Sequence, residues 1–139
     1  MRATSIRVLF AVCAAGLLLR GRAQARSDTL VSNDQVAAQV TVRDVRPRAG
    51  GVVTGLLVNH TATPLRDVRL LIRYQWVWAN ERKPGSDNPG RVGYYTVYEE
   101  LPPEVSVAFT SKPDPPLPKR SDGHFDISVE VVGYTEVGN

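Results

Sequence analysis

Between residues 68 and 78 every second side chain is apolar or aromatic. Val68, Leu70, Ile72, Tyr74, Trp76 and Trp78 alternate with Arg69, Leu71, Arg73, Gln75 and Val77. Side chains point to opposite faces of a strand, so a period of two builds one apolar row. A helix would scatter the same residues around its axis. The period recurs at Val36, Ala38, Val40 and Val42, at Val105, Val107 and Phe109, and at Phe125, Ile127, Val129 and Val131. One apolar and one polar face per segment is the pattern of antiparallel sheets with one wet side. Residues 51–59 are apolar on both faces, which predicts a central strand. Residues 91–101 mix their faces, and their register stays open. No window of useful length carries helical spacing.

Proline and glycine separate these segments. Residues 79–90 hold Pro84, Gly85, Pro89 and Gly90, and residues 112–123 hold Pro113, Pro115, Pro116, Pro118 and Gly123. Proline cannot donate to a ladder, so both stretches read as loops or edges. Six or seven short strands with turns every ten residues or so predict an all-β antiparallel sandwich, with a small barrel as the alternative.

The first 25 residues read differently. Arg2 and Arg7 precede twelve residues, Val8 to Leu19, with no charged side chain, and Ala23-Gln24-Ala25 follows. This is the layout of a secretory signal peptide. The apolar run is short of the roughly 20 residues that span a bilayer. Residues 1–25 are therefore expected to form a targeting helix that is removed. Residues 26–35 then form a leader, and residues 36–139 form one sandwich domain.

Removal changes two inferences. The whole chain has 17 Lys and Arg against 14 Asp and Glu, a formal charge of +3. Residues 1–25 carry four of the arginines and no acid, so 13 basic groups remain against 14 acidic ones. The basic footprint of a nucleic-acid binder goes with the leader. The one cysteine, Cys13, goes too. A disulfide scaffold, a zinc–thiolate centre and a cysteine nucleophile are then excluded. A small exported domain without disulfides points to a bacterial periplasm or cell exterior, with no stable membrane anchor left.

Gly55-x-Leu57-x-Asn59, then Pro64-Leu65-x-x-Val68-x-Leu70-x-Ile72-x-Tyr74, then Leu101-Pro102-Pro103 and Phe109, resembles the small exported bacterial domains of the FxLYD family. Pro103 stands where that family usually has glycine. The resemblance implies an immunoglobulin-like sandwich, with no catalytic residues and no defined ligand.

Enzyme signatures are scarce. His60 and His124 are the only histidines. No nucleophile elbow, H-E-x-x-H, phosphate loop or calcium loop occurs. The chain is read as a non-enzyme without cofactor or metal. Asp122, His124 and Asp126 could share one strand face, but a turn at Asp122-Gly123 is the better reading. Pro115-Pro116-Leu117-Pro118-Lys119-Arg120 has the P-x-x-P-x-R spacing of polyproline ligands and reads as a stiff loop. Asn59-His60-Thr61 matches a glycosylation acceptor, which matters only in a eukaryotic host.

The aromatics are the most informative side chains. Tyr74 and Trp76 are expected in the core. Trp78, Tyr94, Tyr95 and Tyr98 would gather near a hairpin loop and offer apolar area with a polar handle. The sequence thus points to a non-catalytic binding module of the bacterial envelope. It would contact another envelope protein through this patch or through a strand edge. The alternative is a carbohydrate- or cell-wall-binding module using the same rings.

Overall fold

The period-two segments form six strands in two antiparallel sheets, as a computed structural model of residues 33–138 shows. The expected targeting segment, residues 1–25, and most of the leader lie outside the described residues. A short helix α1 (Asn33–Gln39) comes first. Strands β1 (Val40–Pro47), β2 (Val53–Asn59), β3 (Leu65–Trp78), β4 (Arg91–Val97), β5 (Ser106–Ser111) and β6 (Gly123–Glu136) follow. One sheet has the order β1-β2-β5 and the other β4-β3-β6. The all-β sandwich expected from the alternation is present. The two inner faces meet in one core, with Val53, Leu57, Val107 and Phe109 from the first sheet against Leu70, Ile72, Tyr74, Val97 and Val131 from the second. Fully burying such a side chain contributes about 1.5–3 kcal/mol.

Three details follow from local chemistry. β2 is central in its sheet, as its two apolar faces require. The inward row of β1 steps from Val42 to Val45, and that of β3 from Leu65 to Val68. In each case an aspartate, Asp44 or Asp67, sits at positive φ where the register shifts. A bulge of this kind adds one residue and re-aims the side chains that follow. Aspartate tolerates the left-handed region better than most residues. Phe109 lies across from Gly55, and a Cβ on that glycine would stand 2.7 Å from the ring. The ring thus fills the place where β2 has no side chain.

Two expectations are corrected. The first strand was expected to begin at Val36, but residues 33–39 are helical. Val36 and Val40 are both buried, and residues four apart share a helix face as well as a strand face. Ala38 decides between them: it is exposed, whereas a strand would bury it with the valines. Ala37 and Ala38 are strong helix formers. The helix packs against β6, where the Tyr134 hydroxyl donates to Oε1 of Gln39. The second correction is at Val105, which is exposed rather than inward. Glu104 at φ 57° turns the chain there, and β5 begins at Ser106.

The undetermined register of residues 91–101 is now fixed. Gly93, Tyr95 and Val97 turn inward, and Val92 and Tyr94 turn outward. Leu71 lies on the outward face of β3 and is nevertheless buried. Its cross-strand neighbours are Tyr94 on one side and Glu130 on the other.

Candidate functional site

The four aromatics expected to gather do not form one patch. β3 and β4 are paired as a hairpin, but their ladder stops at Tyr74 opposite Arg91. Trp78 lies beyond it, opposite Gly123 of β6. Tyr94 is opposite Leu71, seven residues back along β3, or about 23 Å. Tyr95 turns into the sandwich and packs against the core. Tyr94 and Tyr98 stand in solvent, at 76% and 79% exposure, with Val92 beside them at 51%.

Trp78 belongs to a different assembly. Trp76 meets Phe125 at 4.8 Å between centroids and Trp78 edge-on at 5.9 Å. The Arg120 guanidinium lies 5.3 Å from the Trp76 ring centre and 5.5 Å from that of Trp78. A cation over an indole gains electrostatic attraction from the ring quadrupole. The same guanidinium donates from Nε and Nη2 to Asp122, at 2.9 and 2.5 Å, and from Nη1 to Asp87 at 2.7 Å. These bonds, those to Asp122 foremost, raise the Arg120 pKa further and hold the Asp122 carboxyl below its ordinary value. Gly85 completes the group: a Cβ there would stand 2.8 Å from the Trp78 ring. Gly123 is also constrained, because Val77 O stands where an added Cβ would go. Arg120 thus ties residues 79–90 to residues 112–123, and Trp78 is the surface on which they close. The Nε1 of Trp76 is buried with no acceptor among the described residues.

Nothing in the sequence marks Arg120 beyond an arginine two residues before an aspartate. Its role comes from a loop folding back over β3.

At the other end of the sandwich Asn59 organises the turns. It is fully buried. Its Nδ2 donates to the carbonyls of Thr63 at 2.8 Å and Leu101 at 3.0 Å, and its Oδ1 accepts from the N–H and hydroxyl of Thr61 at 2.8 and 2.7 Å. An amide with both donors and its oxygen engaged is not free to accept a sugar, whatever the triplet reads. The polyproline pattern is similarly occupied. Leu117 is buried and its N–H donates to Gly50 O at 2.9 Å, Arg91 donates to Pro115 O, and Arg120 is held by two aspartates. Of the Asp122, His124 and Asp126 row, Asp122 is engaged with Arg120. No group of three His, Cys, Asp or Glu side chains among the described residues could hold a metal ion.

What remains open is the β4 margin. A cleft of about 200 Å³ runs beside it, lined by Tyr74, Arg91, Gly93, Tyr95, Lys112 and Asp114 among others. Its walls offer backbone groups, a phenol and mixed charge.

No family model matches this chain, and no curated protein sequence matches it. Among solved structures, the Salmonella enterica trimeric lipoprotein SadB overlaps with a TM-score of 0.35 at 14% identity. The overlap covers 75% of this chain and 60% of SadB. That likeness is too slight to carry fold or function across. No helix among the described residues is long and apolar enough to cross a membrane.

Proposed function

We propose that this chain is an exported, non-catalytic interaction module of a bacterial envelope, and that its contact surface is the β4 margin. One observation supports the reading above the others. Three of the four large apolar side chains most exposed among the described residues, Val92, Tyr94 and Tyr98, stand on or directly after one edge strand. Scattered exposed hydrophobics are ordinary, but a cluster on one strand edge marks an association surface. Tyrosine suits such a surface because it adds a hydroxyl to a large contact area.

Trp78 and Tyr95 drop out of this surface, since one closes the loops and the other packs inward. That narrowing also weakens the carbohydrate reading. The indole that a sugar would stack on faces Arg120 and Gly85 instead. Partner capture from solubilised membranes tests the proposal. Tyr94→Lys and Val92→Lys are expected to abolish co-purification of a specific protein partner while leaving the circular dichroism spectrum unchanged. Unchanged capture by both variants would remove β4 from consideration.

A further inference from the structure

The outer edge of a sheet presents unpaired N–H and C=O groups that template another strand, and folded proteins usually block it. Three of the four edges in this sandwich carry such blocks. β1 has Arg43 and Arg46, a bulge at Asp44 and a terminal Pro47. β5 is six residues long, shows only Ser106, Ala108 and Thr110 outward, and runs into Lys112-Pro113. β6 bears Asp126 and Glu130 outward, and α1 packs against it. β4 has no block. From Val92 to Tyr98 the sequence VGYYTVY contains no charge and no proline, and its ladder to β3 has no bulge. Its residues are mostly β-branched or aromatic, which favours extended pairing. Among the described residues only β3 pairs with it.

We infer that β4 pairs antiparallel with β4 of a second copy of this chain, about a two-fold axis at Tyr95, so that two β4-β3-β6 sheets become one six-stranded sheet. This rests on the reading of the β4 margin as the contact surface, and names its occupant. Self-complementarity selects a second copy. A two-fold axis perpendicular to the sheet keeps both outward faces on one side. With the axis at Tyr95, exposed Val92 lies across from the partner's Tyr98, and Tyr94 across from the partner's Thr96. Arg91, which also donates to Pro115 O of its own chain, then lies level with the partner's Glu99, just past the end of the partner's β4, with the partner's Glu100 next to it, and symmetry makes this contact twice. Sliding the register by two residues toward Tyr94 would set Arg91 against the partner's Val97 and leave the acids unmatched. One geometry therefore covers the exposed apolar side chains and pairs the end charges.

Sedimentation velocity of the purified full chain over a wide concentration range is the first test, with a concentration-dependent dimer expected. Tyr94→Lys should weaken that dimer about tenfold or more, because like charges meet near the axis. Glu99→Arg with Glu100→Arg should also weaken it, and adding Arg91→Glu should restore it. Failure of the restored pair while Tyr94→Lys still disrupts would overturn the register. A monomer at every concentration overturns the pairing itself. A photo-crosslinking benzoylphenylalanine at position 94, used in cells exporting the chain, separates the two claims. A product of two copies supports the inference. A product with a different protein overturns self-pairing and leaves the contact surface standing. No product at all, with a folded protein, overturns both.

Discussion

The Nδ2 of Asn59 donates to the carbonyl of Leu101 at 3.0 Å, joining positions 42 residues apart in the chain. The bond links the end of β2 to the segment that leads into β5. Leu101 in turn exchanges backbone bonds with Leu65 at the start of β3, at 2.7 and 3.0 Å. One buried amide therefore sets three chain segments at one end of the sandwich.

Asn59→Ala should be severely destabilising. It removes one of two donors from Leu101 O, which keeps the Leu65 N–H, and one of two from Thr63 O, which keeps the Thr61 hydroxyl, and it leaves the Thr61 N–H without its acceptor. One polar group left unpaired costs about 1–3 kcal/mol, and the lost bonds to the two carbonyls add to it, so a loss of about 2–3 kcal/mol is expected. Urea unfolding with an unchanged m-value is the check. A loss under 1 kcal/mol, on the order of one exposed hydrogen bond, would contradict the account.

Arg120→Met keeps most of the length and apolar stem of the side chain and removes both ion pairs and the cation over the indoles. It should release residues 79–90 more than it unfolds the sandwich. Limited proteolysis near Arg82 and Lys83 should accelerate, and tryptophan emission should change as Trp78 loses its cover. Arg120→Lys should behave much like the Met variant, since an ammonium cannot bridge two carboxylates in the same fork. A lysine variant with wild-type proteolysis would show that charge alone suffices.

The same assembly should be acid-sensitive. Asp122 has its pKa lowered, first by hydrogen bonding from Arg120. A depressed carboxyl contributes fully above its ordinary value of 3.8 and loses that contribution as pH falls below it toward the folded-state pKa. Tryptophan emission followed from neutral pH downward should therefore report loop release below that value. In Asp122→Asn the signal should already be shifted at neutral pH, with a smaller acid transition. An equal transition in that variant would assign it to another group.

Gly55→Ala should cost about 1–3 kcal/mol, because its Cβ would overlap the Phe109 ring at 2.7 Å and the backbone of Arg43 at 3.2 Å. Phe109→Leu alone should also destabilise, by emptying the space over the glycine. Combined, the two should cost less than their sum, since each relieves the other. Additive costs in a double-mutant cycle would mean that the Arg43 carbonyl, not the ring, is the obstacle.

The alternation in β3 and β6 made the sandwich legible, because each inward side chain is a neighbour of the next inward one. Where the chain departs from a period of two, the departure lies in the backbone. At Asp44 and Asp67 a single left-handed residue shifts the row, and aspartate alone does not announce it. Val36 and Val40 fit strand and helix equally, and only the environment of Ala38 separates the two. The patch expected from Trp78 with Tyr94, Tyr95 and Tyr98 assumed that a hairpin ladder runs to its loop. Instead it ends at Tyr74, and the last four residues of β3 pair on the β6 side only. Arg120 and Asn59 act across long loops, where spacing in sequence says little about distance.

β3 runs 14 residues from Leu65 to Trp78, roughly 43 Å, and its two ends are held by unlike chemistry. Near Leu65 the hold is a neutral amide sealed from water. Near Trp78 it is a cation between two solvent-facing carboxylates. Ionic strength screens exposed charges strongly and a buried amide hardly at all. Salt should therefore loosen the molecule from one end, giving a sandwich whose loop end breathes with its medium and whose other end does not.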